Sequence, residues 1–230
     1  MEPITTSIRV VVDRSSAGYR TRFATAYAAL TVLMGGDAIR YAIGWLGWAL
    51  VLGVLLIATL VQFFRADWRA ALKRMPWPLT ALLGLMLIGS LWSNYQLVSF
   101  GAALVQLATT SFALFLATSF SWREILRVVS GTLRGILFTS VLFELYAALI
   151  VRGPIEPFFP NYSGEKPPAV AFYWTQGNLF TDDRIQGIVG NSNMLAYMAM
   201  IAIVVFAIEV AANTTTRLVS ALSFIAAVPM

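Results

Sequence analysis

A polar segment lies between a long loop and an apolar stretch near the end of the chain, and its residue types suit anion binding. Residues 184–193 read RIQGIVGNSN and continue directly into apolar sequence. An arginine guanidinium binds phosphate through two parallel hydrogen bonds, and N–H groups at a helix start attract negative charge. The pattern predicts a phosphate or pyrophosphate pocket formed by Arg184, Gly187, Gly190, Asn191 and Asn193.

The residues after the arginine have backbone roles in this prediction. The glycines permit a tight turn and a close backbone approach, and the asparagines are typical capping residues at the start of a helix. A purely structural alternative stays open, in which Arg184 pairs with Asp182 or Asp183 and the other residues only turn and cap the chain.

Three more charged residues lie in or beside apolar stretches. Glu144 lies roughly 10 Å from the end of its stretch by helical rise, and a carboxyl group at that depth in a bilayer is a candidate site residue. The alternatives for Glu144 are a structural tie between helices or a basic partner on another span. Arg40 is expected to pair with Asp37 or to add a second positive charge to the anion site. Arg134 is expected to extend toward the headgroups without a role.

The composition excludes several classes of protein. Of the 230 residues, 59% are hydrophobic and 12% are charged, against about 25% charged in a soluble domain. Continuous apolar runs argue against a β-barrel. The sequence has no cysteine and no histidine, so no metal site or cofactor is expected. The net charge is +5, but no basic patch with interleaved aromatics indicates nucleic-acid binding.

The expected fold is an all-α, polytopic transmembrane helix bundle of about seven spans. About 20 apolar residues in a helix cross a bilayer. The expected spans are about Phe23–Met34, Tyr41–Phe64, Trp77–Trp92, Ser99–Phe120, Val128–Val151 and Asn193–Ala212, with a seventh that starts near Leu218 and is cut off. We therefore expect the chain to be the N-terminal part of a longer protein.

The distribution of lysine and arginine orients the expected spans, because these residues concentrate in cytoplasmic segments. Residues 1–22 are expected to form a cytoplasmic N-terminal segment, and residues 23–151 spans one to five. Residues 152–190 form an outward-facing loop, and residues 191–230 form span six and the truncated span seven. The loop is rich in proline and aromatic residues. We expect it to lie along the outer membrane surface, either as an aromatic belt or as a platform for an amphipathic, lipid-linked substrate.

The segment around residue 184 resembles a motif of the O-antigen ligase and polysaccharide polymerase family of bacterial envelope proteins. The shared pattern is Arg-x-x-Gly-x-x-Gly-Asn-x-Asn-x-Leu-Ala entering a membrane span. Leu91, Trp92 and Ser93, which close an earlier apolar segment, are similar as well. The resemblance covers roughly residues 77–209. Ser192 stands between the asparagines, where proline is frequent in the family.

The resemblance implies both a fold and an activity. It implies the N-terminal part of a GT-C-like bundle in the bacterial inner (cytoplasmic) membrane. The activity is metal-independent transfer of a saccharide from an undecaprenyl-pyrophosphate carrier to a glycan, lipid or protein acceptor. By motif match, Arg184 would bind the pyrophosphate, and the glycines and asparagines would position it. The catalytic residues, including a histidine, would lie beyond residue 230, so this chain alone is expected to be inactive.

Two other classes of function stay open. A transporter or flippase of lipid-linked saccharides would carry several ionisable groups inside its spans and broken helices near the midplane, and only Glu144 fits that expectation. A noncatalytic membrane scaffold would tolerate replacement of Arg184. The lipid bilayer is an expected partner in all three cases.

Overall fold

The computed structural model describes residues 17–65, 68–73, 75–159, 172–181 and 183–212, together with positions 219, 223 and 227. Within these ranges the regular elements are helical, apart from an isolated antiparallel bridge between Ile155 and Thr175. The helices are α1 (Ala17–Met34), α2 (Gly36–Arg65), α3 (Trp68–Lys73), α4 (Trp77–Gly89), α5 (Gln96–Ser119), α6 (Trp122–Tyr146) and α7 (Ser192–Ala211). A π-helical turn, Ala147–Val151, extends α6, and a 3-10 turn covers Asn178–Phe180.

Four helices of the described part are long and apolar enough to cross a bilayer. They are α2, α5, α6 with its π-helical turn, and α7. The shortest, α7, has 20 residues, and a helix of that length spans the hydrocarbon core of about 30 Å. The prediction of an all-α, multi-pass membrane protein is confirmed in this form.

Two predicted spans are helical but do not belong to these four. α1 carries Arg20 and Arg22, which lower its mean hydropathy. α4 has 13 residues and is therefore about 20 Å long, which is less than the hydrocarbon core. The predicted seventh span from Leu218 lies outside the described residues, apart from single positions. The number of spans thus stays a prediction.

A capping box sets the start of α6. Glu124 Oε2 accepts hydrogen bonds from the Ser121 N–H at 2.9 Å and from the Ser121 hydroxyl at 2.8 Å. Such a box binds N–H groups that the first helical turn leaves free. The helix therefore begins at Trp122, six residues before the predicted start at Val128.

A bend divides α2. Gly44 has a φ of 77° inside the helix, a conformation that glycine adopts without steric cost. The ring of Phe159 lies against it, because a Cβ at position 44 would be 3.5 Å from that side chain. The residues before Gly44 turn toward the loop that follows α6, and the residues after it form the membrane-length part.

Helix α6 is central to the packing and contacts α1, α5 and α7. One buried apolar cluster joins α6, α7 and the loop before α7, and includes Leu137, Val189 and Leu195. A second cluster joins α1, α2 and α5 to the start of α6, and includes Phe63 and Phe115. The first cluster packs the loop that carries residue 184 against α6.

The outer faces of the bundle are apolar. Large exposed hydrophobic side chains of α2 and α5 include Leu46, Leu50, Val54, Leu97 and Phe100. Apolar surface of this extent marks an interaction site rather than a water-exposed face. The environment that suits it is a lipid bilayer.

Candidate functional site

The loop before α7 turns at two glycines. Gly187 and Gly190 have φ values of 59° and 64°, and the Gly190 N–H donates to the Gly187 carbonyl at 3.3 Å. A Cβ on Gly187 would lie 2.6 Å from the Ser140 side chain, and a Cβ on Gly190 would lie 2.3 Å from the Tyr41 ring. The predicted tight turn and close backbone approach are confirmed.

Glu144 holds this turn from α6 and is fully buried. Its Oε1 atom accepts hydrogen bonds from the Gln186 N–H at 3.0 Å, the Gly187 N–H at 2.7 Å and the Thr175 hydroxyl at 2.8 Å. Within the described residues it forms no ion pair. Of the predicted alternatives, the geometry supports the structural tie, although the tie joins α6 to a loop rather than to another helix.

Two further side chains bind the next peptide groups of the turn. The Ile188 N–H donates to the Ser140 hydroxyl at 3.2 Å, and the Trp174 indole N–H donates to the Ile188 carbonyl at 2.8 Å. The Trp174 ring packs against the rings of Tyr41 and Phe143, with centroids 5.7 and 5.0 Å apart. The turn is therefore enclosed by α2, α6 and the long loop.

The long loop lies only partly at the surface. Trp174 is buried, which corrects the expectation that the loop aromatics lie along the membrane surface. The contacts of its ring with Tyr41, Phe143 and Phe158 and its hydrogen bond to the turn explain its position. Other aromatic side chains of the loop are exposed, and these are Phe158, Phe159, Phe172 and Phe180. Residues 160–171, which include three of the loop prolines, lie outside the described residues.

Asn191 is the N-cap of α7. Its Oδ1 accepts hydrogen bonds from the Asn193 N–H at 3.0 Å and the Met194 N–H at 3.1 Å. The predicted capping role is confirmed for Asn191, whereas Asn193 lies inside the first turn of α7 and its Oδ1 accepts from Arg184 instead. Because the cap already binds two N–H groups of the first turn, an anion at this helix start would be held chiefly by side chains.

Arg184 is exposed and lines a polar pocket in front of α7. Its Nη1 donates to Asn193 Oδ1 at 3.3 Å. It forms no ion pair within the described part of the chain, and Asp182 lies outside that part. The pocket has a volume of about 380 Å³. Its other lining residues are Asn178, Leu179, Thr181, Asp183, Ile185, Ser192 and Ala196.

The polar groups of the pocket define what it can hold. One guanidinium, one carboxylate, two amides and two hydroxyls line it. The guanidinium suits phosphate oxygens, and the amides and hydroxyls can both donate to and accept from a polyol. No group of three or more potential metal ligands occurs among the described residues. The guanidinium of Arg184 can bind a small anion that also carries hydroxyl groups, and the Asp183 carboxylate can only accept from those hydroxyls.

The predicted site residues have different positions relative to the pocket. Arg184 and Asn193 line it, whereas the two glycines, Asn191 and Glu144 shape and hold the loop that presents them. The sequence pattern thus includes residues that line the pocket and residues that hold the loop in place, but it does not show which residues have which role.

Arg40 does not line the pocket. Its Nη2 pairs with Asp37 Oδ1 at 3.0 Å, so the expected pair is confirmed. Its guanidinium also lies over the rings of Tyr41 and Trp45, at 4.9 and 4.8 Å from their centroids, a favourable cation–π geometry. Tyr41 in turn packs against Gly190. Arg40 therefore contacts the loop only indirectly, through the Tyr41 ring.

Arg134 does not extend toward the headgroups, which corrects the expectation for this residue. It forms an ion pair with Glu209 of α7, and its Nε donates to the Ser223 hydroxyl at 2.7 Å. Its guanidinium also lies 4.8 Å from the centroid of the Phe206 ring. Opposite charges attract each other strongly where the surroundings have a low dielectric constant, so the partly buried arginine is held against the buried carboxylate of α7.

Several residues of this region were not predicted to contact one another. The sequence does contain a signal for Glu209, because an acidic residue in one apolar segment and a basic residue in another indicate an internal pair. It contains none for the contacts of Ser140, Tyr41 and Trp174 with the turn, since hydroxyl and aromatic residues are common throughout the chain. Only the fold shows that they contact the turn.

No protein-family model, curated protein or solved structure matches this chain. The likeness to the O-antigen ligase and polymerase family therefore rests on the motif of residues 184–196 and its position before a membrane-length helix.

Proposed function

We propose that this chain is the donor-binding part of a membrane glycosyltransferase of the O-antigen ligase or polymerase type. The donor is a saccharide carried on undecaprenyl pyrophosphate, and the acceptor is a glycan, lipid or protein. The observation that carries the proposal is the shared pocket of Arg184 and Asn193 directly before α7, a helix of membrane length. A lipid pyrophosphate belongs at such a boundary, because its charged group favours water and its chain favours the bilayer.

In the proposed reaction, Arg184 stabilises the leaving pyrophosphate. When the bond between the anomeric carbon and the pyrophosphate breaks, negative charge develops on the leaving pyrophosphate. A fixed guanidinium stabilises this charge more in the transition state than in the ground state. The hydrogen bonds from the turn to Glu144 and Ser140 favour such fixation. Acid–base and acceptor groups come from other parts of the enzyme.

The proposal includes the finer topology. The bundle has seven spans, a cytoplasmic N-terminus and a GT-C-like fold in the bacterial inner membrane, and the pocket faces outward. Supporting this orientation, basic side chains concentrate at the end of the described bundle opposite Arg184, among them Arg22, Arg65, Arg123 and Arg127. Such residues favour the cytoplasmic side.

Binding of the lipid donor by variants of Arg184 tests the proposal. We would reconstitute the chain in phosphatidylcholine nanodiscs and measure binding of undecaprenyl pyrophosphate and of undecaprenol. A charge-assisted hydrogen bond is worth about 1.5–3 kcal/mol, so Arg184→Ala should weaken pyrophosphate binding by about 10- to 150-fold. Undecaprenol binding should not change.

The matched control is Arg152→Asn, which removes an exposed arginine from the same end of the bundle. Arg152 has a φ of 56°, and asparagine tolerates that conformation better than most residues. The control should bind the donor like the parent. Equal binding by the parent and Arg184→Ala would contradict the proposal and favour a scaffold. In cells that carry the natural gene, Arg184→Ala should also abolish saccharide transfer to the acceptor.

A transporter of lipid-linked saccharides is the second candidate, and one observation favours it. The bundle contains the Arg134–Glu209 pair in addition to Glu144, and ionisable groups inside membrane helices often mark substrate or proton pathways. Proteoliposomes distinguish the two functions. A transporter moves a labelled lipid-linked saccharide between leaflets without an acceptor, whereas the proposed transferase does not.

A further inference from the structure

The end of the bundle opposite Arg184 is strongly basic. It is formed by the starts of α1 and α6, the end of α2, and α3. Its described acidic residue, Glu124, is already bound by its capping box and by the Tyr19 hydroxyl at 2.9 Å. Seven described basic side chains lie there, and these are Arg20, Arg22, Arg65, Arg69, Lys73, Arg123 and Arg127. This end therefore attracts anions.

Two of these arginines share a pocket between α1 and α2. The pocket has a volume of about 260 Å³ and is lined by Gly18, Thr21, Arg22, Gln62 and Arg65. None of its described lining residues is acidic, and neither arginine forms an ion pair with a described residue. Two guanidiniums from different helices can hold one phosphate group between them.

The Gln62 side chain, which also lines the pocket, is held by a hydrogen bond to α1. Its Nε2 donates to the Thr25 hydroxyl oxygen at 2.8 Å. The Thr25 hydroxyl itself donates to the Thr21 carbonyl at 3.0 Å, so its oxygen accepts the hydrogen bond from Gln62. Gln62 Oε1 is shielded from solvent and has no hydrogen-bond donor in the described part of the chain, so the two guanidiniums supply the charged contacts of the pocket.

We infer that this pocket binds the headgroup of an anionic phospholipid. Arg22 and Arg65 bind its phosphate, and Gln62 lines the space between the two helices. The position fits a lipid rather than a soluble ligand, because Arg65 is the last residue of a membrane-length helix. Basic pockets between helices at this level bind phospholipid headgroups. The inference does not depend on the proposed transferase activity.

Lipid titration followed by native mass spectrometry tests the inference. The chain in neutral detergent is titrated with phosphatidylglycerol or phosphatidylcholine, and retained lipids are counted. A basic residue near anionic lipid is worth about 1 kcal/mol, so Arg22→Ala or Arg65→Ala should weaken phosphatidylglycerol binding by about fivefold and the double variant by about 30-fold. Phosphatidylcholine should bind weakly to all variants.

The control is the double variant Arg69→Ala and Arg123→Ala, which removes the same charge from the same end but leaves the pocket intact. It should retain phosphatidylglycerol like the parent. Equal losses in both double variants would overturn the site, because they would show attraction by net charge alone. Circular dichroism and thermal unfolding establish that the variants remain folded. Loss of lipid binding in folded pocket variants supports the site.

Phosphatidylethanol tests recognition through the phosphate, because it has the same phosphodiester charge as phosphatidylglycerol but no headgroup hydroxyl. It should bind like phosphatidylglycerol and show the same dependence on Arg22 and Arg65. Clearly weaker binding would overturn recognition by the two guanidiniums alone. Competition by free glycerol 3-phosphate with the same dependence on both arginines would overturn the assignment to a lipid and identify a soluble phosphate site instead.

Discussion

Glu144 shows how a carboxyl group is accommodated inside a membrane-length helix. Burying such a group is costly unless hydrogen bonds replace those of water. Two backbone N–H groups and one hydroxyl bind its Oε1 atom, and Oε2 is buried without a partner among the described residues. The partners are loop groups rather than a cation. Glu144 therefore binds two of the peptide N–H groups of the turn that follows Arg184.

Replacement of Glu144 by alanine should release the turn. Each buried polar group left without a partner costs roughly 1–3 kcal/mol, so the free energy of unfolding should fall by about 3 kcal/mol or more. Amide hydrogen exchange at Gln186 and Gly187 should become much faster, because their acceptor is lost. Thermal unfolding in detergent and hydrogen-exchange mass spectrometry measure the two effects.

Glu144→Gln separates the hydrogen bonds from the charge. Glutamine keeps an oxygen acceptor at the same distance along the side chain, so most of the amide protection should remain. Glu156→Ala removes an exposed carboxylate from the same end of the bundle and should change neither measurement. Unchanged exchange of the turn in Glu144→Ala would show that Glu144 does not hold it.

The Arg134–Glu209 pair joins α6 to α7. Glu209 is nearly fully buried, and Ser130 also donates to it at 2.7 Å. Removing one partner of a buried pair leaves an uncompensated charge, whereas replacing both with apolar residues is often tolerated. The packing of α6 against α7 therefore depends on the presence of both charges.

Single and double replacements of this pair should differ clearly in stability. Arg134→Met should lower the free energy of unfolding by about 3–5 kcal/mol, and Arg134→Met with Glu209→Leu should recover most of the loss. Arg123→Met, at an exposed position of the same helix, should change stability by less than about 0.5 kcal/mol. If the double variant is as unstable as Arg134→Met, charge compensation is not the cause.

The whole molecule has two chemically different ends. The basic end holds Arg22 and Arg65, and the other end holds Glu144, Arg184 and the aromatic loop. Basic residues are retained on the cytoplasmic side. The charge asymmetry therefore predicts the sidedness of the entire bundle.

Single cysteines can report this sidedness, because the sequence has no cysteine of its own. Ala17 and Asn94 are exposed at opposite ends of the described bundle. In right-side-out vesicles, a membrane-impermeant maleimide should label Asn94→Cys but not Ala17→Cys until the membrane is permeabilised. The reverse pattern would invert the topology and place the Arg184 pocket in the cytoplasm.

Much of the bundle was predictable because a helix that crosses a bilayer needs a continuous apolar run, which can be read from the sequence. The apolar runs predicted α2, α5 and α7 to within about five residues at each end, since every backbone group in lipid must be satisfied within a helix. α6 began earlier than predicted because a capping box outside its apolar run extends it. α4 ended at Gly89, which apolarity alone did not indicate.

By itself, the sequence determined the membrane class, the glycine turn and the asparagine cap. Each of these depends on residues close together in the chain: a long apolar run, glycines that adopt positive φ, and an asparagine directly before a helix. Only the tertiary structure decided what those elements contact. It placed Glu144 beneath the turn, Trp174 inside the bundle and Arg134 against Glu209. These contacts join residues far apart in the chain, and a polar side chain inside a bundle adopts whichever partner the packing of helices brings within hydrogen-bond distance.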